Sequence, residues 1–171
     1  FTLGVLYDKQ GDLTKSVESM RLVISLEPEN AEALNYLGYT YADKGIHLEE
    51  AERLIRKALL LRPEDGYIVD SLGWVLYRLG NFEGAVEHLE RAVELLPVDP
   101  VINDHFGDAL WMVGRHTEAE FQWHRALSFI TDDTDPDDVD PDRIRRKLEV
   151  GLYKVLEEEG AEPLRVVNDD G

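Results

Sequence analysis

The chain has 171 residues, of which 36 are Asp or Glu and 18 are Lys or Arg, so its formal charge is −18. This excess of acid argues against binding to nucleic acid and against docking on an anionic membrane, because both depend on basic side chains. Hydrophobic residues make up 43% of the chain, which is enough for a packed core. Cysteine is absent, which excludes disulfides, thiol catalysis and Cys-ligated zinc, and no apolar stretch is long enough to insert into a membrane.

The sequence repeats itself at intervals of 34 or 35 residues. A Leu-Gly pair, a second glycine, a small residue and a large apolar residue recur at matched positions, which predicts an array of four similar units. The longer interval reflects one extra residue in the turn around His47. The recurring positions are Gly4, Gly38, Gly73 and Gly107; Gly11, Gly45, Gly80 and Gly114; Ser16, Ala51, Ala85 and Ala119; and Met20, Ile55, Leu89 and Trp123.

Each unit is predicted to contain two helices. In the second unit, Leu34 and Leu37 lie at helical spacing before Gly45 interrupts the pattern, and Ala51 begins a second helix that ends before Pro63. Small residues allow two helices to cross closely, and we expect the larger residue at each crossing to come from the opposing helix. For that role the sequence suggests Tyr7, Tyr41, Leu76 and Leu110.

The last part of the chain differs from the repeats. Seven aspartates between Asp132 and Asp142 indicate a solvated linker, and a stripe from Ile144 to Leu156 then predicts one amphipathic helix whose Arg143 and Lys147 face outward or sideways. We expect this helix to cap the open end of the array, with a fold-back into the groove as a mimic of a ligand as the alternative. The predicted segments are units 1–30, 31–65, 66–99 and 100–131, a linker 132–142, a capping helix 143–160 and a tail 161–171.

The repeated positions resemble the tetratricopeptide repeat, whose pattern is W-x2-L-G-x2-Y, then A-x3-F, then P. The second unit fits best, with Leu37-Gly38, Tyr41, Ala51, Ile55 and Pro63 in place. The resemblance spans about residues 1–131 and implies an all-α, right-handed superhelical solenoid of antiparallel helix pairs. Because Phe1 falls partway along the first helix, we expect the first unit to lack its opening residues and further repeats to lie upstream.

The resemblance also implies a peptide-binding groove lined by the first helix of each unit. Its side chains are aromatic and acidic, which favours a protein or peptide segment with basic residues beside apolar anchors. The carboxylate clamp of co-chaperone members is not expected, because aspartates replace its basic residues. Alternatively, Tyr39, Trp74 and Trp111 pack against the neighbouring repeat. The predicted groove residues are Asn35, Tyr36, Tyr39, Tyr67, Asp70, Trp74, Tyr77, Asp104, His105, Asp108 and Trp111.

Motifs for catalysis, cofactors or metals are not recognisable in the sequence. Asp133, Asp135 and Asp137 alternate as in a calcium-binding EF-hand loop, but Asp138 replaces its glycine and Ile144 its final glutamate. His105 and Asp108 share a helical face without a second ligand pair. We therefore expect no enzyme, cofactor or metal, but a scaffold for protein binding. The alternatives are self-assembly through exposed end repeats, or the repeat portion of a larger enzyme or envelope adaptor.

Two stretches, 37–43 and 70–78, look like the C-terminal repeats of proteobacterial members of this family. Many of those proteins are exported or anchored in the outer membrane. The resemblance therefore suggests a bacterial protein of the periplasm or outer membrane, with the cytoplasm as the alternative.

Overall fold

The computed structural model describes residues 1–161, and the regular structure of this range is entirely helical. The first eight helices form four antiparallel pairs, and each pair packs on the next. The all-α fold predicted from the repeat is confirmed. The helices are α1 Thr2–Lys9, α2 Leu13–Leu26, α3 Ala31–Lys44, α4 Leu48–Leu61, α5 Gly66–Arg78, α6 Phe82–Leu95, α7 Pro100–Met112, α8 His116–Phe129, α9 Pro141–Val150 and α10 Leu152–Glu158.

Side chains placed just before the helices determine where most of them begin. The Asp65 carboxylate accepts the backbone N–H groups of Tyr67 and Ile68 at the start of α5, and the Asp99 carboxylate accepts that of Ile102 in α7. Such caps satisfy donors that have no partner within the helix. In the lengthened turn of the second unit, His47 precedes α4 without a side-chain cap and has a φ of 47°, a left-handed conformation that strains a residue other than glycine.

The two helices of each pair cross at the glycine that recurs in the first helix of every unit. A Cβ atom added to Gly73 would lie 2.5 Å from Leu89 Cγ, and one added to Gly38 would lie 2.6 Å from Ile55 Cγ1. The predicted close crossing is therefore present, but the large residue at it belongs to the series of Ile55 and Leu89. For the glycine positions, our assignment of Tyr7, Tyr41, Leu76 and Leu110 to that role was wrong, because each lies on the same helix as its glycine.

The C-terminal extension contains two helices where the sequence predicted one over 143–160. Gly151 separates α9 from α10 with φ 84° and ψ 161°, and a Cβ atom there would lie 2.7 Å from Trp111 Cζ2. The chain therefore bends where it meets the repeats. Ile144, Leu152 and Val155 are buried as the apolar stripe predicted. The predicted tail, except for Ala161, lies outside the described residues.

One large core links the helix pairs to the extension, since buried side chains of α2 to α8 belong to the same cluster as Val139, Ile144 and Leu152. A second, smaller cluster lies within the repeats and consists of Val69, Ala92 and Ile102. None of the helices within residues 1–161 combines the length and the apolar character needed to cross a bilayer.

Candidate functional site

The first helices of the last three pairs, α3, α5 and α7, lie side by side, with α5 in contact with both others. We call the surface that they form the groove face. Aromatic rings from all three helices follow one another across it. The Tyr77 and Trp74 rings of α5 stack at 4.7 Å between centroids, Trp74 stacks on His105 of α7 at 3.9 Å, and Tyr39 of α3 lies 6.3 Å from His105. Trp74 thus packs against the neighbouring unit, as the alternative interpretation had it.

A buried His–Asp pair also joins α5 to α7. His105 Nδ1 lies 2.9 Å from Asp70 Oδ1, and both side chains are 8% exposed. Burial alone would lower the pKa of His105, but the neighbouring carboxylates, Asp70 above all, outweigh that effect and raise the pKa. The pair therefore holds the third and fourth units together and favours the protonated imidazole.

A second charged cluster lies on α7, where Lys147 of the extension enters between two carboxylates. Its Nζ lies 2.5 Å from Asp104 Oδ1 and 2.6 Å from Asp108 Oδ1. Trp123 Nε1 donates to the same Asp108 oxygen at 2.9 Å, and the Trp123 ring lies 5.1 Å from the Lys147 ammonium. Burial would lower the pKa of Lys147, but Asp104 and Asp108 together raise it, so the ammonium stays charged.

The position of Lys147 contradicts the sequence prediction that it faces outward or sideways, because its side chain is fully buried. The spacing of residues along α9 contained a signal for the burial of Lys147. Lys147 follows Ile144 by three residues and precedes Gly151 by four, so all three share one helical face. That face contacts the repeats, and two aspartates on one face of α7 require a cation when they are buried.

The extension therefore covers part of the groove face. Lys147 bonds to Asp104 and Asp108, and Gly151 lies against Trp111, so three predicted groove residues contact the extension. At the same time, α9 packs on α8, as a cap on the last pair would. The extension thus lies both on the groove face and against the last pair, the two positions that the sequence presented as alternatives.

The rest of the groove face contains a cavity of about 240 Å³, open to solvent, between α3, α5 and the start of α7. Tyr67, 58% exposed, is the most accessible aromatic side chain in its wall. Sequence reasoning missed two aspartates of this wall. Asp99 lies just before α7, and Asp138 belongs to the linker, whose path helical periodicity does not show. The cavity is lined by Asn35, Tyr36, Tyr39, Tyr67, Asp70, Ser71, Asp99, Val101, Ile102 and Asp138.

The predicted groove residues thus fall into three groups. Asn35, Tyr36, Tyr39, Tyr67 and Asp70 line the cavity. A second group, Asp104, Asp108 and Trp111, contacts the extension. The third group, Trp74, Tyr77 and His105, forms the buried stack between them.

The carboxylates of the groove face and the linker do not assemble into a metal-binding set. Within residues 1–161, no group of three or more His, Asp or Glu side chains has the geometry to hold a metal ion. In the linker, the Asp135 carboxylate accepts the backbone N–H of Asp137, as in a local turn.

Comparison with known proteins identifies repeats of one type. Two family models, both described as tetratricopeptide repeat, match residues 1–59 and 69–97. A TPR repeat-containing protein of Pseudomonas aeruginosa is 42% identical over 108 residues, which cover 63% of this chain. The chain spans less than a fifth of the length of the curated relatives that it matches, 18% in this case.

Solved structures share the architecture. A crystal structure of MamA matches with 21% identity and a TM-score of 0.63, covering 92% of this chain and 95% of that one. A mutant O-GlcNAc transferase of Thermobaculum terrenum matches with 24% identity and a TM-score of 0.65, covering 75% of this chain and 24% of that one. These similarities confirm the predicted superhelical solenoid of helix pairs.

Proposed function

The chain belongs to the tetratricopeptide repeat family, and on that premise we propose that it is a non-catalytic scaffold whose groove face binds a peptide or helical segment of another protein. The partner segment carries Lys or Arg beside apolar anchors. Interaction with other proteins is the general role of this fold; the groove and the chemistry of the partner are our proposal.

The open cavity is the observation that carries the proposal. Carboxylates of Asp70, Asp99 and Asp138 lie in its wall together with phenol rings such as that of Tyr67. Such a wall suits a cationic head followed by an apolar side chain, since the rings bury apolar area and also attract cations. Asn35 adds a buried Oδ1 that accepts no hydrogen bond within the described residues, so it can receive an N–H from a bound segment.

Long-range electrostatics favour the same class of partner. The chain carries a net charge of −18, so a basic segment is attracted before contact and an acidic one is repelled. This attraction acts mainly on the association rate and weakens with salt. The affinity for a basic segment should therefore fall as ionic strength rises, whereas a purely apolar interaction would not weaken.

The test is a titration with a fluorescent helical peptide of lysines and leucines, with a glutamate–leucine peptide as the control ligand. Tyr67→Ala removes an exposed ring of the cavity, and Tyr153→Ala removes an equally exposed ring, 57%, on α10 outside it. We expect Tyr67→Ala to weaken binding about tenfold, as loss of an aromatic anchor does, and Tyr153→Ala to leave it unchanged. Equal effects of the two variants, or equal binding of the two peptides, would refute the proposal.

Self-association is a second candidate, favoured by the exposed side chains of Leu3 and Leu6 on α1, 55% and 50% accessible. Stacking of two such surfaces would bury both leucines. Sedimentation over a range of protein concentrations tests it: a concentration-dependent dimer that Leu3→Lys with Leu6→Lys abolishes supports self-association, and a monomer at all concentrations excludes it.

A further inference from the structure

We propose that residues 138–151 are an intrachain ligand of the groove face, and that the pocket filled by Lys147 recognises a lysine ammonium. A lysine of a partner segment would then take the place of Lys147, and the extension would regulate access to this half of the groove. The role of the partner rests on the function proposed above, whereas the intrachain part rests on the contacts of the extension itself.

The pocket has the properties of a site for one cation. Two carboxylates, from Asp104 and Asp108, bond the ammonium, and the Trp123 ring lies beside it. The Asp108 side chain is 2% exposed, and its contacted oxygen also accepts Trp123 Nε1. A buried ionised carboxylate needs a counter-charge, and the ammonium of Lys147 supplies it to Asp108 and to the partly exposed Asp104 beside it.

The occupant matches the ligand that the groove face is expected to bind. Residues 143–147 read Arg-Ile-Arg-Arg-Lys, four basic residues around an apolar one, and the apolar Ile144 is 1% exposed in the common core. The extension thus places a basic group, Lys147, and an apolar anchor, Ile144, side by side against the repeats. This is the combination predicted for a partner from the side chains of the groove alone.

Most ion pairs of the extension lie within the extension itself. Its arginines pair within the extension, Arg143 with Glu159 at 2.8 Å and Arg146 with Glu158 at 2.7 Å. Within residues 1–161, the ion pairs between the extension and the repeats are those of Lys147. Residues 130–140, which contain no helix, connect α8 to α9 and provide a tether. Opening therefore breaks the two ion pairs of Lys147 and withdraws apolar side chains such as Ile144 and Leu152 from the common core, while the α9–α10 unit stays internally paired.

Displacement would lengthen the groove. Asp104, Asp108 and Trp111 contact the extension, and they adjoin the stacked Trp74 and His105 that separate them from the open cavity. A partner that supplies its own lysine would gain the cavity and the pocket together. The extension would lower the affinity for any segment that cannot fill the pocket, because such a segment offers no replacement for Lys147.

The experiment uses a synthetic peptide with the sequence of residues 138–151, added to the full chain. The Lys147→Met variant removes the ammonium from the pocket, and Arg145→Met, a change at an exposed position whose ion pair with Asp142 lies within the extension, is the matched control. We expect the peptide to bind Lys147→Met at least tenfold more tightly than wild type or Arg145→Met. A peptide with Met in place of the lysine should lose this advantage.

Hydrogen exchange of the wild-type chain gives a measurement that does not depend on the variant. A displaceable ligand opens without unfolding of the array, so amides of α9 should exchange at least tenfold faster than those of α5. If Lys147→Met is folded by circular dichroism and binds the peptide no better than wild type does, the proposal is overturned. If that variant does not fold, equal protection of α9 and α5 overturns it instead.

This proposal and the proposed function can fail separately. Equal effects of Tyr67→Ala and Tyr153→Ala on the lysine–leucine peptide count against the cavity as a binding site. Failure of the 138–151 peptide to bind the pocket of Lys147→Met counts against the intrachain ligand and leaves the result for the cavity unaffected.

Discussion

Replacement of Lys147 by Met should destabilise the fold strongly, although it changes one side chain to another of similar length. The Lys147 side chain is 0% exposed, and the partner side chains of Asp108 and Asp104 are 2% and 14% exposed. Met retains the apolar contacts of the lysine stem, so the main effect of the change is the loss of the ammonium. The variant then keeps two carboxylates that have lost their counter-charge.

The expected cost follows from that burial. Removal of one member of a buried ion pair costs about 3–5 kcal/mol, because the remaining charge is left without compensation. In a chain of this length 1 kcal/mol shifts the melting temperature by about 2–4 °C, so the expected decrease is on the order of 10 °C. Urea unfolding followed by circular dichroism gives the change in free energy, with Arg145→Met as the control that should remain at the wild-type value.

Two further measurements isolate the charge as the cause. Adding Asp108→Asn to Lys147→Met removes one unpaired charge and preserves an acceptor for Trp123 Nε1, so it should restore at least half of the lost stability. Burial raises the pKa of the Asp108 carboxyl even beside Lys147, and loss of the ammonium, which lowers that pKa, raises it further. The loss of stability should therefore shrink as pH falls through the raised pKa. A loss below about 1 kcal/mol at neutral pH, or one that does not depend on pH, would refute the reasoning.

Three other predictions follow from the geometry. Burial opposes a charge on His105, but Asp70 raises the pKa of its imidazole above the ordinary 6.5. The stabilisation that the Asp70–His105 pair contributes is therefore complete below about pH 6.5 and is lost as pH rises through the folded pKa. Urea midpoints of the wild type, but not of His105→Gln, should show this decline. Gly73→Ala places a Cβ 2.5 Å from Leu89 Cγ and should cost about 1–3 kcal/mol in thermal unfolding, whereas the same change in a Leu89→Ala background should be neutral or stabilising. His47→Gly relieves a φ of 47° and should raise the free energy of unfolding by up to about 1 kcal/mol, a gain that His47→Ala should not produce.

The repeat pattern predicted the helices and their pairing because both depend on local spacing. The Gly38 and Gly73 positions marked the helix crossings correctly, since only a small residue fits where backbones approach. The identity of the opposing residue was wrong for a related reason. Tyr41 recurs at the same interval as Gly38, but recurrence does not tell which helix faces which, whereas the structure shows that Ile55 does.

The path of the extension was the part that local patterns could not predict. Asp138 reaches the cavity wall and Lys147 reaches α7 through a linker without helical periodicity, so their contacts depend on three-dimensional packing over about 40 positions of sequence. The acidic character of the groove face was visible in Asp70, Asp104 and Asp108. Its consequence, that the chain would supply a cation to two of them, required knowledge of burial.

Photo-crosslinking tests most directly whether the groove face binds a basic segment. The lysine–leucine peptide, with a benzophenone in place of one leucine, is irradiated with the full chain, and mass spectrometry locates the attachment points. The account predicts attachment to the cavity wall, at residues such as Tyr36 and Tyr67, and a loss of attachment when unlabelled peptide is added in excess. Attachment mainly to α4 and α6, whose residues do not line the cavity, would contradict the account.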